Sequence, residues 1–195
     1  MSDFDYGNAR LRAMKSRLLS RRTLESLAEA ASVQGLITAL TNTAYREAVE
    51  AALARSTVEL AGMDCLAEAL RNDLVATVGR ARQFFSGAAA ELAALTLRRY
   101  DVHNVKTVLR GLARQVVASE ILSGMLPVGE LSVADLAQLA QSADVRVAID
   151  LLATWRMQAA QPLLALRARG RGGDLEVSAM ELALATVPDI SPDYF

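Results

Sequence analysis

The amino-acid sequence predicts an all-α protein, and three observations lead there. Ala and Leu dominate a chain that is 52% hydrophobic, whereas aromatic residues make up only 5%; Ala and Leu are strong helix formers, and aromatic residues favour strands. Apolar residues recur at steps of three and four rather than two. Only four prolines interrupt 195 residues, a length that can bury roughly two thirds of its unfolded surface without disulfides or metals.

The elements follow in order. From Tyr6 to Leu19, the spacing of Leu11, Met14, Leu18 and Leu19 makes one apolar helical face, with Arg10, Arg17 and Arg21 on another side. Thr23 is the expected N-cap of a short helix through Leu24, Leu27 and Ala28, and Ser32 that of Val33–Leu40. Helical spacing resumes over Tyr45–Ala54. Met63–Phe85 reads as a longer helix with Leu66, Leu70, Leu74 and Val78 at four-residue steps, interrupted at Ser86-Gly87. Ala88–Arg99 is Ala- and Leu-rich, and Asp101 is the expected N-cap of a further helix toward Val117, with Asn104 in its first turn. Past the break at Pro127 and Gly129, helices are expected over Leu131–Ala140 and Val145–Leu152, capped by Ser132 and Asp144. Ala153–Arg167 follows, with Pro162 able to kink it or start a new segment, and Leu175–Ala185 is the last. The domain organisation read from these breaks is a first helical module over residues 1–125 and part of a second over 126–195, with a linker at 170–173.

Charge and cysteine usage narrow the function classes. The 21 basic and 22 acidic residues nearly cancel, so nucleic acid is not an expected partner. The ends differ in sign: Met1–Arg22 carries Arg10, Arg12, Lys15, Arg17, Arg21 and Arg22 against Asp3 and Asp5, while the charged residues after Arg171 are all acidic. Different neighbours are expected for the two ends. The single cysteine, Cys65, makes no internal disulfide and points to a reducing, cytoplasmic setting. One cysteine and one histidine rule out the common Cys/His zinc sites within one chain, and no cofactor or catalytic residue is expected. No signal peptide and no stretch of about 20 apolar residues are seen, so any membrane connection is expected to run through another protein.

Asp101 and His103 could form an acid/base pair, but a capping carboxylate beside a first-turn histidine explains the same residues. The glycines at 170–173 lack the lysine and hydroxyl residue of a phosphate-binding loop. Cys65, inside a helical pattern, reads as a small core residue. The arginines Arg10, Arg17 and Arg21 have two readings. Either they solubilise an amphipathic helix and lay their stems over its apolar side, or they form a docking face for an acidic partner or anionic headgroups.

Three segments carry a family resemblance. Asp3-Phe4-Asp5-Tyr6-Gly7-Asn8-Ala9-Arg10-Leu11-Arg12-Ala13-Met14 resembles the opening of the C subunit of the V-type ATPases (the d subunit in eukaryotes), where Tyr, Asn-Ala-Arg and a second basic residue begin the first helix. Ala39-Leu40-Thr41-Asn42-Thr43-Ala44-Tyr45 is similar to that family's Leu-x-x-Thr-x-Tyr element. Leu97-Arg98-Arg99-Tyr100-Asp101-Val102-His103-Asn104-Val105-Lys106-Thr107-Val108-Leu109-Arg110 is similar to its Asp-x-x-Asn-Leu-Lys-x-Leu-Leu-Arg helix start, with Val105 and Val108 in place of leucines. The resemblance implies helical modules of the V-type ATPase C-subunit type, arranged as an incomplete pseudo-threefold funnel because this chain covers the first module and much of a second. It implies a non-catalytic coupling subunit at the membrane periphery whose partners are the central-stalk subunits and the proteolipid rotor ring. It casts Tyr6, Asn8, Asp101 and Asn104 as structural motif residues, with Tyr6, Tyr45 and Tyr100 burying their rings, and leaves Arg10, Arg17 and Arg21 as the partner-contact candidates. The competing readings are a helical adaptor or regulatory module unrelated to rotary ATPases, and an enzyme using Asp101 and His103.

Overall fold

The computed structural model describes residues 3–55, 62–169 and 176–185, and the described residues contain eleven helices and no strand. The chain divides into two compact units, residues 1–91 and 92–195. The break at Pro127–Gly129 therefore lies inside the second unit, and the expected linker at 170–173 lies outside the described residues.

The first unit holds α1 (Asp3–Lys15), α2 (Arg21–Ala28), α3 (Val33–Thr41), α4 (Arg46–Arg55) and α5 (Met63–Arg82). Helix α1 ends four residues before the apolar spacing does. Ser20 caps α2 with an extended backbone (ψ 156°) and accepts from the Thr23 amide, so the chain must leave the helical conformation beforehand. Leu18 and Leu19 consequently lie in the intervening turn, and Thr23 is not the cap but a first-turn residue whose amide the cap satisfies. Ser32 caps α3 through the Gly35 amide, as its sequence context predicts. Between α3 and α4 the Thr43 hydroxyl donates to the Leu40 carbonyl and accepts from the Tyr45 amide. The core is small: Ile37, Leu40, Val49 and Leu66, with Ala52, Cys65 and Ala69 forming a second cluster of short side chains between α4 and α5. Near the start of α1, Gly7 lies under the Phe85 ring, where any Cβ would overlap it.

Gly87 (φ 53°), in the left-handed region that glycine adopts without a Cβ clash, opens α6 (Gly87–Ala113). This helix is continuous for 27 residues, about 40 Å. The sequence suggested two helices meeting at Asp101; the structure has one, because nothing between Arg99 and Asn104 breaks a helix and Asp101 lies in its middle rather than at an end. Asp101 is buried and its carboxylate accepts from the amides of Glu130 (2.8 Å) and Leu131 (3.0 Å). Asn104, one turn later and fully buried, donates to the Leu126 carbonyl and accepts from the Leu126 amide, both at 2.8 Å. Neither residue is therefore at N-cap or N3; they bind a distant irregular segment to the middle of α6. Gly129 completes the fit, since a Cβ there would overlap the Asp101 carboxylate.

Helix α6 stops short of Val117 at a left-handed Gln115 (φ 56°), where the Val116 amide reaches back to the Gly111 carbonyl in a Schellman closure. A short α7 (Ala118–Ser123), not anticipated from the sequence, follows. Ser132 and Asp135 form a reciprocal capping box at α8 (Val133–Ala140), and Asp144 caps α9 (Val145–Thr154) through the Val147 amide. The single helix expected over Ala153–Arg167 is split: Arg156 (φ 58°) closes α9 in the same Schellman manner, and α10 (Ala160–Arg169) restarts with Pro162 in its first turn, where a missing N–H costs little. Helix α11 (Val177–Leu184) completes the unit. Leu109, Leu136, Leu139, Ile149, Leu152, Leu163, Met180 and Leu184 fill one continuous core. An Arg110–Glu181 ion pair ties α11 to α6, and Arg167–Asp150 (2.7 Å) ties α10 to α9.

Two predictions arise from this unit. Asn104→Ala strands both polar groups of Leu126 and is expected to cost about 2–4 kcal/mol in urea unfolding, whereas Asn8→Ala, at an exposed position, is expected to stay within about 0.5 kcal/mol. The second concerns acid. The hydrogen bond from Arg110 holds the Glu181 carboxyl below its ordinary value. A lowered folded-state pKa contributes stability that is present above the unfolded value, about pH 4.3, and is lost as pH falls through the folded one. Stability measured from neutral pH to pH 3 is expected to fall less steeply below that range in Glu181→Gln than in the wild type.

A basic-rimmed apolar groove as candidate partner site

Within the first unit the five helices leave an apolar groove of about 870 Å³ uncovered. One wall is α5: Met63, Leu66, Leu70, Leu74, Val78 and Ala81 recur at steps of three and four along its length, from Met63 to Ala81. The opposite wall comes from Leu11 and Met14 of α1, Leu18 and Leu19 of the turn that follows, and Leu24 and Leu27 of α2. Leu36, Leu40 and Tyr45 contribute further lining. The four-residue stripe seen in the sequence is unevenly covered, with its first residue buried, its middle open and Val78 half-buried. Leu66 is buried in the core, whereas Leu70 and Leu74 are exposed. Across the groove Leu18 is 59% exposed and Leu24 53%, and Met63 at the start of α5 is 57% exposed. Exposed leucines gathered on one surface mark interaction sites more often than chance placement does.

The polar rim is mainly cationic: Lys15, Arg17 and Arg80 line the groove against a single carboxylate, Asp73. None of these three cations is ion-paired among the described residues; Arg80 donates only to the Thr77 hydroxyl, at 3.2 Å.

The structure separates the three arginines singled out from sequence. Arg17 is on the groove rim. Arg10 stacks on aromatic rings instead, its guanidinium carbon 4.9 Å from the Phe84 centroid and 5.7 Å from that of Tyr6. Arg21 opens α2, almost fully exposed and paired with Glu25 at 2.9 Å. Tyr6 does not bury its ring: it is half exposed beneath Arg10, while Tyr45 and Tyr100 are partly buried. Asn8 is exposed. Asp101 and His103 do not form a pair facing a common site, since Asp101 is buried against the 130–131 amides and His103 is exposed. Cys65 is a buried free thiol in the small-residue cluster. Among the described residues no group of three or more His, Cys, Asp or Glu side chains is placed to hold a metal.

Sequence reasoning named Arg17 but not the leucines opposite it. The available signal was arithmetic: two apolar stripes, 11–14–18–19 and 66–70–74–78, are more apolar surface than three intervening short helices can cover. If the groove is open in the free chain, Leu74→Gln is expected to change unfolding stability by less than about 0.5 kcal/mol, while Leu66→Ala at the buried end costs about 2–4 kcal/mol.

Comparison with known proteins now places the chain. Residues 7–187 match the family described as ATP synthase (C/AC39) subunit. The C subunit of the A-type ATP synthase of Methanosarcina acetivorans is 30% identical over 151 residues, covering 77% of this chain and 41% of the relative. The C subunit of the V-type ATP synthase of Deinococcus radiodurans is 29% identical over 150 residues, covering 77% and 42%. The matched stretch thus spans about two fifths of each of these relatives. With the family match over residues 7–187 and helices as the only regular elements among the described residues, this chain belongs to the ATP synthase (C/AC39) subunit family.

Proposed function

We propose that the chain is a non-catalytic subunit of an A/V-type rotary ATPase or ATP synthase, coupling the central stalk to the proteolipid rotor ring during ATP-linked ion transport. The observation that carries this reading is the family match over residues 7–187, joined by relatives that are themselves named as the C subunits of such enzymes. A binding role for the first unit is supported by its concave surface, which is lined by leucines and a cationic rim.

No helix of the described residues is long and apolar enough to cross a membrane. Attachment at the membrane periphery therefore runs through partner subunits in this reading. Torque transmission needs side chains that do not yield, and the densely filled core of the second unit, with its capped helices and backbone ties, has that character.

The test is co-purification of the tagged chain with central-stalk subunits and the proteolipid ring, repeated with the reading frame extended past Phe195 if the gene continues. Defined stoichiometry with both is expected from at least one form. A well-folded, full-length product that binds neither would leave the fold standing and move the function to a helical adaptor outside rotary ATPases.

A further inference from the structure

We infer that the apolar groove of the first unit receives an amphipathic helix from another protein, with acidic residues on the helix's flanks. This deepens the coupling reading by naming a surface and the chemistry of its occupant, and it rests on that reading only for the partner's being a protein subunit.

Three features select this occupant. The first is length: the α5 stripe runs over 19 residues from Met63 to Ala81, about 27 Å at the helical rise, which matches about five turns of a second helix lying alongside. The second is shape. The groove is open along its side, with Leu18, Leu24 and Met63 more than half exposed, so an acyl chain lying in it would keep much of its surface wet. A helix instead brings its own side chains over these leucines, the usual mode of helix-in-groove recognition. The third is charge. Lys15, Arg17 and Arg80 on the rim lack ion-pair partners among the described residues, and acidic flanks on the incoming helix would meet them. The same rim disfavours a second copy of this chain, because a two-fold pairing through the groove sets cations against cations.

The test uses two 18-residue labelled helical peptides with leucines at heptad positions a and d. One carries glutamates at e and g, the other lysines. Binding to the full chain is followed by fluorescence anisotropy at low and at physiological salt. The glutamate peptide is expected to bind at least tenfold more tightly at low salt, and the gap to narrow as salt rises. Arg17→Glu combined with Arg80→Glu, both exposed in the free chain, is expected to remove or invert the preference, with helical content checked by circular dichroism. Equal binding of the two peptides, preference for the lysine peptide, or no binding of either would overturn the inference, as would tighter association with phosphatidylglycerol vesicles than with the glutamate peptide, which would assign the groove to lipid. Should the double variant not fold, the salt-dependent preference of the wild type decides alone. These results stand apart from the co-purification: a chain that joins the stalk and ring yet ignores peptide charge refutes the groove and leaves the coupling function intact.

Discussion

The second unit depends on two side chains near the middle of a long helix. Asp101 and Asn104 sit one turn apart on α6 and satisfy four backbone groups of residues 126–131. That segment carries Pro127 and Gly129 and can make neither helix nor sheet, so its amides and carbonyls need partners from elsewhere if it is to be buried. Once they are supplied, Met125, Val128 and Leu131 go into the interior, and the chain is set up for the Ser132 cap that starts α8. Helices α8 to α11 then close over the same core. Removing either polar side chain would leave buried or part-buried backbone groups unpaired, a cost larger than the net gain from an ordinary hydrogen bond. The Gly129 position shows how tight the arrangement is, since even a methyl group would displace the carboxylate.

What could be read from the sequence was local. Ser32, Ser132 and Asp144 cap the helices they precede, because a cap needs only an amide three residues ahead, and the sequence contains both partners. Asp101 failed the same inference for an instructive reason. Its neighbours offer a capping geometry, but its bonds go to residues 29 and 30 positions away, and no local pattern encodes that. Thr23 failed by a shorter margin: Ser20 is an equally good cap, and Arg21 and Arg22 are strong helix formers that carry the start upstream. The left-handed closures at Gln115 and Arg156 were invisible because the usual signal there is glycine or asparagine, and tertiary packing imposed the conformation on other residues. The family resemblance, by contrast, was carried by residue identities and did not require correct element boundaries. The separation of the three arginines was not legible, because stacking on Phe84 and pairing with Glu25 both depend on side-chain placement.

The two units use their apolar residues differently. The second builds a larger buried core, down to 0% exposure at Leu139, Ile149 and Leu163, although Leu92 and Leu182 at its surface stay more than half exposed. The first has only four large buried residues in its main cluster and leaves leucines on three helices and a turn facing water. The charge asymmetry of the sequence follows the same division in part. Glu181, from the acidic end, is spent internally on Arg110, whereas Arg17, from the basic end, remains on an open rim.

An exposed apolar groove carries a physical penalty in the free chain, because any similar surface can cover it. The rim moderates that hazard without removing the attraction. Charges at the edge of a groove act over about 8 Å at physiological salt, so they sort approaching surfaces before the leucines make contact. A helix with acidic flanks is drawn in, while a like-charged groove is pushed back. Apolar area then sets how tightly the accepted surface is held, and rim charge sets which surface that is. Such a division of labour suits a subunit whose place in an assembly must be specific, and it locates specificity in Lys15, Arg17 and Arg80 rather than in the leucines that supply most of the contact.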